Sequence, residues 1–166
     1  PDNDIVVRPH PTENHEVYRK IAERCQRVHV TNEGNVVPWL LAAKALIHNG
    51  CTTGAEAYVM RVPAITYRAS VHETYDFGFY RLPNLVSHVC LSFEELKLTL
   101  QKILNNELGP ADGGAKLGRT TMMSFGQDGI AHFNQPGQVQ PGTEARIKAQ
   151  EDGHRVRIGH IVCFQI

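Results

Sequence analysis

The stretch Ala45-Leu46-Ile47-His48-Asn49-Gly50-Cys51-Thr52-Thr53-Gly54-Ala55-Glu56-Ala57-Tyr58-Val59-Met60-Arg61-Val62-Pro63-Ala64-Ile65-Thr66-Tyr67 decides the fold class. Ala45 to His48 reads as a short apolar strand. Asn49 to Gly54 is a loop of small and hydroxyl residues, Ala55 to Arg61 is helical, and Pro63 to Tyr67 reads as the next strand. Upstream, Ile5-Val6-Val7 is a strand stopped by Arg8-Pro9-His10-Pro11, because two prolines forbid its continuation. Thr12 or Asn14 can cap the helix that follows. Glu16 to Gln26 then places Val17, Ile21 and Cys25 at the i, i+4, i+8 spacing of one buried face. Val28 to Val30 is a second strand, and Val37 to Ala45 a short helix with Pro38 near its first turn. Downstream, a polar, aromatic stretch (Arg68 to Asn84) leads to a strand at Val89-Cys90-Leu91. Ser92 to Leu104 is a helix whose Ser92 and Glu95 have the spacing of a capping box. Strands alternating with helices predict an α/β chain of Rossmann-like design, a mainly parallel sheet with helices on both faces.

After Gly109 the helical period disappears, and ten of the fourteen glycines lie in 109–166. Two hairpin signals remain. Thr121 to Phe125 and Ile130 to Phe133 flank Gly126-Gln127-Asp128-Gly129, and Glu144 to Ala149 and Arg155 to Val162 flank Glu151-Asp152-Gly153. The expected organisation is a Rossmann-like domain over 1–108 and a Gly-rich tail or small β appendage over 109–166.

The chain has 166 residues, the size of one domain. Seventeen basic residues balance seventeen acidic ones, so no net field points to nucleic acid or an anionic membrane. With 42% hydrophobic and 20% charged residues it has the means to bury a core. No apolar run approaches the roughly 18 to 20 residues that cross a bilayer. There is no basic-then-apolar leader, and the first residue is Pro1, which suggests a piece of a longer protein. Cys25, Cys51, Cys90 and Cys163 show no paired short spacing, so they read as reduced thiols of a cytoplasmic protein, not as a disulfide frame or zinc site. No histidine–carboxylate cluster has metal-ligand spacing, and no metal is expected.

In an open parallel sheet, ligands bind outside the carboxyl ends of the strands. Two loops qualify. In Arg8-Pro9-His10-Pro11-Thr12-Glu13-Asn14 the prolines restrict the backbone around His10, which can donate to a phosphate oxygen beside a helix start. Its alternative role is to satisfy backbone carbonyls in a tight turn. In Asn49-Gly50-Cys51-Thr52-Thr53-Gly54 small residues let a phosphate approach backbone N–H groups, and two hydroxyls add donors. Glu56, one turn on, can reach a ribose hydroxyl pair. The alternative here is that Thr52 or Thr53 caps the helix. This is not a P-loop, since the lysine and the glycine spacing are missing. Arg68, at the end of its strand, offers a bidentate fork to a phosphate. Glu73, Tyr75, Asp76, Tyr80 and Arg81 are candidate walls for a base or sugar. Cys51 lacks an established basic partner and is not read as a nucleophile. Both main loops would open on one sheet edge, a combination suited to a nucleotide's phosphate and sugar.

Arg8-Pro9-His10-Pro11, the run from Asn49 to Ala57, and Pro63-Ala64-Ile65-Thr66-Tyr67 together resemble the donor-binding C-terminal domain of bacterial surface-carbohydrate biosynthesis proteins, glycosyltransferases of the GT-B type. The His-Pro motif followed by a paired Ser/Thr motif is also similar to polysialyltransferases, capsule Kdo transferases and teichoic-acid glycerophosphotransferases. The resemblance covers about residues 5 to 105. It implies that 1–108 is a nucleotide-sugar-binding domain in which His10, Thr52 and Thr53 hold the phosphate of a nucleotide-activated sugar and Glu56 lies nearest the ribose. Arg8, Asn14, Asn49, Gly50, Gly54 and Arg68 complete the candidate nucleotide- and phosphate-binding set. It also implies a cytidine nucleotide such as a CMP-sugar, donor orientation, and stabilisation of the departing nucleotide without a metal or other cofactor.

The family's N-terminal, acceptor-binding half has no counterpart in this chain, and the tail does not look like the family's closing helices. The expectation is therefore a truncated donor domain, not competent alone, completed by a separate acceptor-binding domain or a homo-oligomer. Its expected place is the cytoplasm, with peripheral attachment to the inner membrane left open. Two further readings stay open. One is a stand-alone or non-catalytic Rossmann-like module, dimeric through its tail. The other is a nucleotide-sugar epimerase-like enzyme, for which Glu56 and Glu73 would have to supply acid/base chemistry.

Overall fold

A computed structural model describes residues 3–72, 81–113, 122–125, 131–134 and 161–165. The elements follow in the order β1 (Asp4–Arg8), α1 (His15–Ala22), β2 (Val28–Val30), α2 (Val36–Ala42), β3 (Ala43–His48), α3 (Thr53–Val59), β4 (Ala64–Tyr67), α4 (Arg81–Leu85), β5 (His88–Cys90), α5 (Phe93–Leu104), β6 (Met122–Phe125), β7 (Ala131–Asn134) and β8 (Ile161–Gln165). Six strands form a wholly parallel sheet in the order β2-β1-β8-β3-β4-β5. The expected Rossmann-like α/β architecture is present.

β3 lies in the core of this sheet. Ala45, Leu46, Ile47 and His48 are all buried, which a strand covered on both faces requires. Ala45 and Ile47 pack with Ile65, Cys90 and the α5 residues Leu96 and Ile103 on one face. Leu46 packs with Leu40, Ala57, Val62 and Ala64 beneath α2 and α3 on the other. No loop separates α2 from β3: Ala43 turns to an extended backbone directly after Ala42. The helix expected over 37–45 is therefore shorter, and its strand longer. Asn35, whose carboxamide accepts from the Val37 N–H at 2.8 Å, starts α2 and leaves Pro38 in the first turn, where its missing N–H costs nothing.

α1 starts where expected but ends at Ala22, short of the expected Gln26, and turns a different face inward. Val17 and Ile21 are 53% and 57% exposed, and Cys25 lies in solvent beyond the helix end. His15, Tyr18 and Ala22 form the half-buried side instead. The reason is position: α1 packs on the three-residue edge strand β2, which offers too little surface to cover the Val17–Ile21 stripe. At α5, Ser92 Oγ accepts from the Glu95 N–H at 3.2 Å, as a cap should. The Glu95 carboxylate, however, accepts from the Leu91 N–H at 2.7 Å, one residue before its partner in a capping box. The short helix α4 begins within the polar, aromatic stretch, for which no helix was expected, and runs to Leu85.

β6 and β7 pair antiparallel from Met122↔Asn134 to Phe125↔Ala131, the first expected hairpin. Of the second, 144–149 lies outside the described residues. Ile161 and Val162 open β8, which inserts parallel between β1 and β3. The continuous apolar run Ile161-Val162-Cys163-Phe164 suits an inner strand of a parallel sheet better than an alternating hairpin. At its start β3 accommodates β8 with a bulge at Lys44, since Ala43 and Ala45 face the consecutive residues Ile161 and Val162. Among the described residues, no helix is long and apolar enough to cross a membrane.

Candidate functional site

The strand order reverses at β8. From β1 the chain moves to β2 on one side, and from β3 to β4 and β5 on the other. The loops after β1 and β3 therefore leave the same carboxyl edge and diverge, the arrangement that opens a crevice in doubly wound sheets. One strand lies between them, so two interstrand spacings, about 10 Å, separate their origins. Arg8, Gln165 and His48 stand side by side in register at this edge.

The β1 loop is held by local hydrogen bonds. The His10 N–H donates to Glu13 Oε2 (3.1 Å), and the Glu13 N–H donates back to the His10 carbonyl (2.9 Å). The Thr12 N–H donates to His10 Nδ1 (3.3 Å), and the Thr12 hydroxyl lies 2.7 Å from the same nitrogen. A backbone N–H can only donate, so Nδ1 accepts and the neutral ring carries its proton on Nε2. His10 is exposed, and its Nε2 has no partner among the described residues. The ring is thus a fixed, outward-facing donor. Asn14, not Thr12, caps α1, accepting from the Glu16 N–H at 3.0 Å.

Arg8 lies deeper than a ligand-facing residue. It is 3% exposed, donates to the carbonyls of Glu33 and Gly34 (both 3.0 Å), and stacks on Trp39 at 5.4 Å from the ring centroid. Its cation fastens the turn before α2 to the end of β1.

The β3 loop is fastened from within. His48 is 1% exposed, and its Nδ1 accepts from the Cys51 N–H at 3.2 Å. Its Nε2 lies 2.9 Å from Ser87 Oγ, which itself donates to the Pro83 carbonyl at 2.7 Å. Ser87 therefore accepts from Nε2–H, and the ring is neutral and fully engaged. Burial, with the positive charge of Arg68 second, pushes its pKa down to about 4. Gly50 turns the chain at φ +68°, a conformation that favours glycine. Gly54 lets α3 lie directly on the His48 ring: a Cβ there would fall on Nε2 and within 2.7 Å of Cε1.

Thr52 stands at the start of α3, yet its side chain makes no capping bond. The residue is exposed, and its hydroxyl has no hydrogen-bond partner among the described residues, whereas its carbonyl accepts from the Ala55 N–H at 2.9 Å. Thr53 is buried, with its hydroxyl 3.2 Å from Cys51 Sγ. Neither threonine caps the helix through its side chain. Asn49 is exposed beside them. Glu56, one turn into α3, is half-buried with an unbonded Oε2, and desolvation raises its pKa. Arg68 is buried after β4, its backbone N–H donating to the Cys90 carbonyl at 2.8 Å, and burial lowers its pKa.

The sheet thus brings His10, Asn49, Gly50 and Thr52 to one edge as exposed or backbone elements. Arg8, Asn14, Thr53, Gly54 and His48 support them. Glu73, Tyr75, Asp76 and Tyr80 lie outside the described residues, and Arg81 begins α4. Sequence reasoning missed Ser87 as the anchor of His48 and Gln165 as the residue between the two loops. The apolar run ending at Phe164 was the only signal for the latter. Among the described residues, no group of three or more His, Cys, Asp or Glu gathers as a metal site. Compared with known proteins, the chain matches no family model, no curated protein and no solved structure.

Proposed function

We propose that the crevice between the β1 and β3 loops binds the phosphate and sugar of a nucleotide-activated sugar, and that the chain is a donor-binding domain of the glycosyltransferase kind its motifs resemble. The observation that carries the reading is the strand reversal at β8, which puts both motif-bearing loops on either side of one crevice. His10 presents an Nε2–H toward solvent there, and Thr52 offers an unengaged hydroxyl. Together they hold phosphate oxygens and stabilise the charge that develops as the nucleotide departs. Glu56, partly desolvated, faces the ribose in this reading. An acceptor-binding partner or further domain completes the transferase, and the donor is a cytidine nucleotide.

A thermal-shift titration with CMP, CDP, UMP, UDP and GDP tests this, repeated on His10→Ala and Thr52→Ala. A ligand at 100 times its Kd adds about 2.7 kcal/mol of stability. Cytidine-selective stabilisation that both variants lose is the expected result. No shift with any nucleotide overturns the reading and leaves a Rossmann-like module without this ligand.

A further inference from the structure

The chain has one tryptophan, Trp39, and it stands in α2. α2 leaves the carboxyl end of β2, packs against β8 and α3, and leads into the amino end of β3. Its first turn therefore lies at the carboxyl edge of the sheet. The contact with Arg8 places Trp39 there directly, because the guanidinium at the end of β1 lies 5.4 Å from the ring centroid. Arg8 is itself fixed, buried and donating to the Glu33 and Gly34 carbonyls at 3.0 Å each. The indole thus rests on an anchored cation, and it flanks the same strand end as the His10 donor two residues on. Trp39 is only half-buried, and its indole N–H has no hydrogen-bond partner among the described residues. An indole that serves the core alone is buried and finds a partner for that donor. Here part of the ring and its donor stay open beside the β1 side of the crevice.

We propose that Trp39 is the base-binding residue of this crevice, the nucleobase stacking on the open part of the indole while the phosphate lies with His10 and Thr52. This rests on the nucleotide reading above and adds to it the one part of the ligand, the base, that no residue had yet been assigned to hold. Stacking on a flat aromatic suits any base, since each has a π-face. A ring already oriented by Arg8 loses little freedom when the base arrives, so more of the stacking energy remains as affinity.

The test follows the fluorescence of this single tryptophan in the full chain, excited on the red edge of the indole band where bases do not absorb. The best-bound nucleotide of the five and ribose 5-phosphate, which lacks the base, are each titrated in, with thermal shift reporting binding in parallel. The nucleotide should quench or shift the emission at saturation, and ribose 5-phosphate should leave it unchanged. Trp39→Leu should weaken the nucleotide about five- to thirtyfold, the worth of one stacked base, without weakening ribose 5-phosphate. Trp39→Phe, which keeps a ring over Arg8, should restore part of that loss. Dependence on the base is a readout that a merely structural role would not produce. Should Trp39→Leu fail to fold, the wild-type emission and Trp39→Phe still decide. Nucleotide binding with unchanged emission, or the same response to both ligands, overturns the proposal while leaving the nucleotide reading standing. A wild-type chain that binds no nucleotide removes both.

Discussion

The β1 and β3 loops open on one sheet edge but are secured by opposite means. The β1 loop is tied by short-range bonds among His10, Thr12 and Glu13, and it leads into a helix with no buried residue. The β3 loop is tied by tertiary contacts: His48 reaches 39 residues along the chain to Ser87, and Gly54 lies against its ring. A locally bonded loop keeps its shape at little cost to the core but depends on each short bond. A core-anchored loop transmits any disturbance to the whole fold. The difference leaves His10 held outward by its own loop alone, while the second loop is built into the core.

The largest consequence lies in acid. Unfolded His48 takes up a proton near pH 6.5, whereas the folded, buried ring does so only near pH 4. Between those values the unfolded state binds more protons. The contribution of the neutral ring is therefore full above about pH 6.5 and declines as pH falls toward 4, by about 3 kcal/mol. Urea unfolding across this window should show the slope in the wild type and a flatter one in His48→Asn. Equal slopes would remove the core-anchored half of the comparison.

Gly54→Ala should follow, destabilising by about 2 kcal/mol through overlap with His48, even though alanine gains about 1 kcal/mol in helix propensity. A neutral or stabilising result in chemical denaturation would mean that the ring can move aside. Asn14→Ala removes the cap of α1 and should cost about 1 kcal/mol, with a loss of far-UV helical signal. Ile21→Ser should change stability by no more than about 0.5 kcal/mol, since the side chain faces solvent. A loss above about 2 kcal/mol would show that the α1 stripe is covered after all.

Much of the scaffold was legible because its signals are local. Pro9 and Pro11 end β1, Ser92 caps its helix, and each of the first four strands appears within two residues of its expected start. The two loops were legible as candidate sites for the same reason: a parallel sheet sends every strand's carboxyl end to one edge. Periodicity alone misplaced α1's inner face, because a stripe of Val17 and Ile21 names an apolar side but not the surface available to receive it. Arg8 looked like a phosphate ligand in sequence. Its burial against Trp39 depends on α2 folding back across the end of β1.

By itself, then, the sequence determined the alternation of strands and helices, the hairpin of β6 and β7, and the identity of the loops at the sheet's carboxyl edge. Those features follow from spacing, proline, glycine and caps within a few residues. Only the tertiary structure decided that β8 enters between β1 and β3, that His48 is neutral and fastened to Ser87, and that Gln165 stands between the two loops. Each of these joins residues tens of positions apart. Such pairings are chosen by which surfaces can be buried together, and no local pattern encodes that choice.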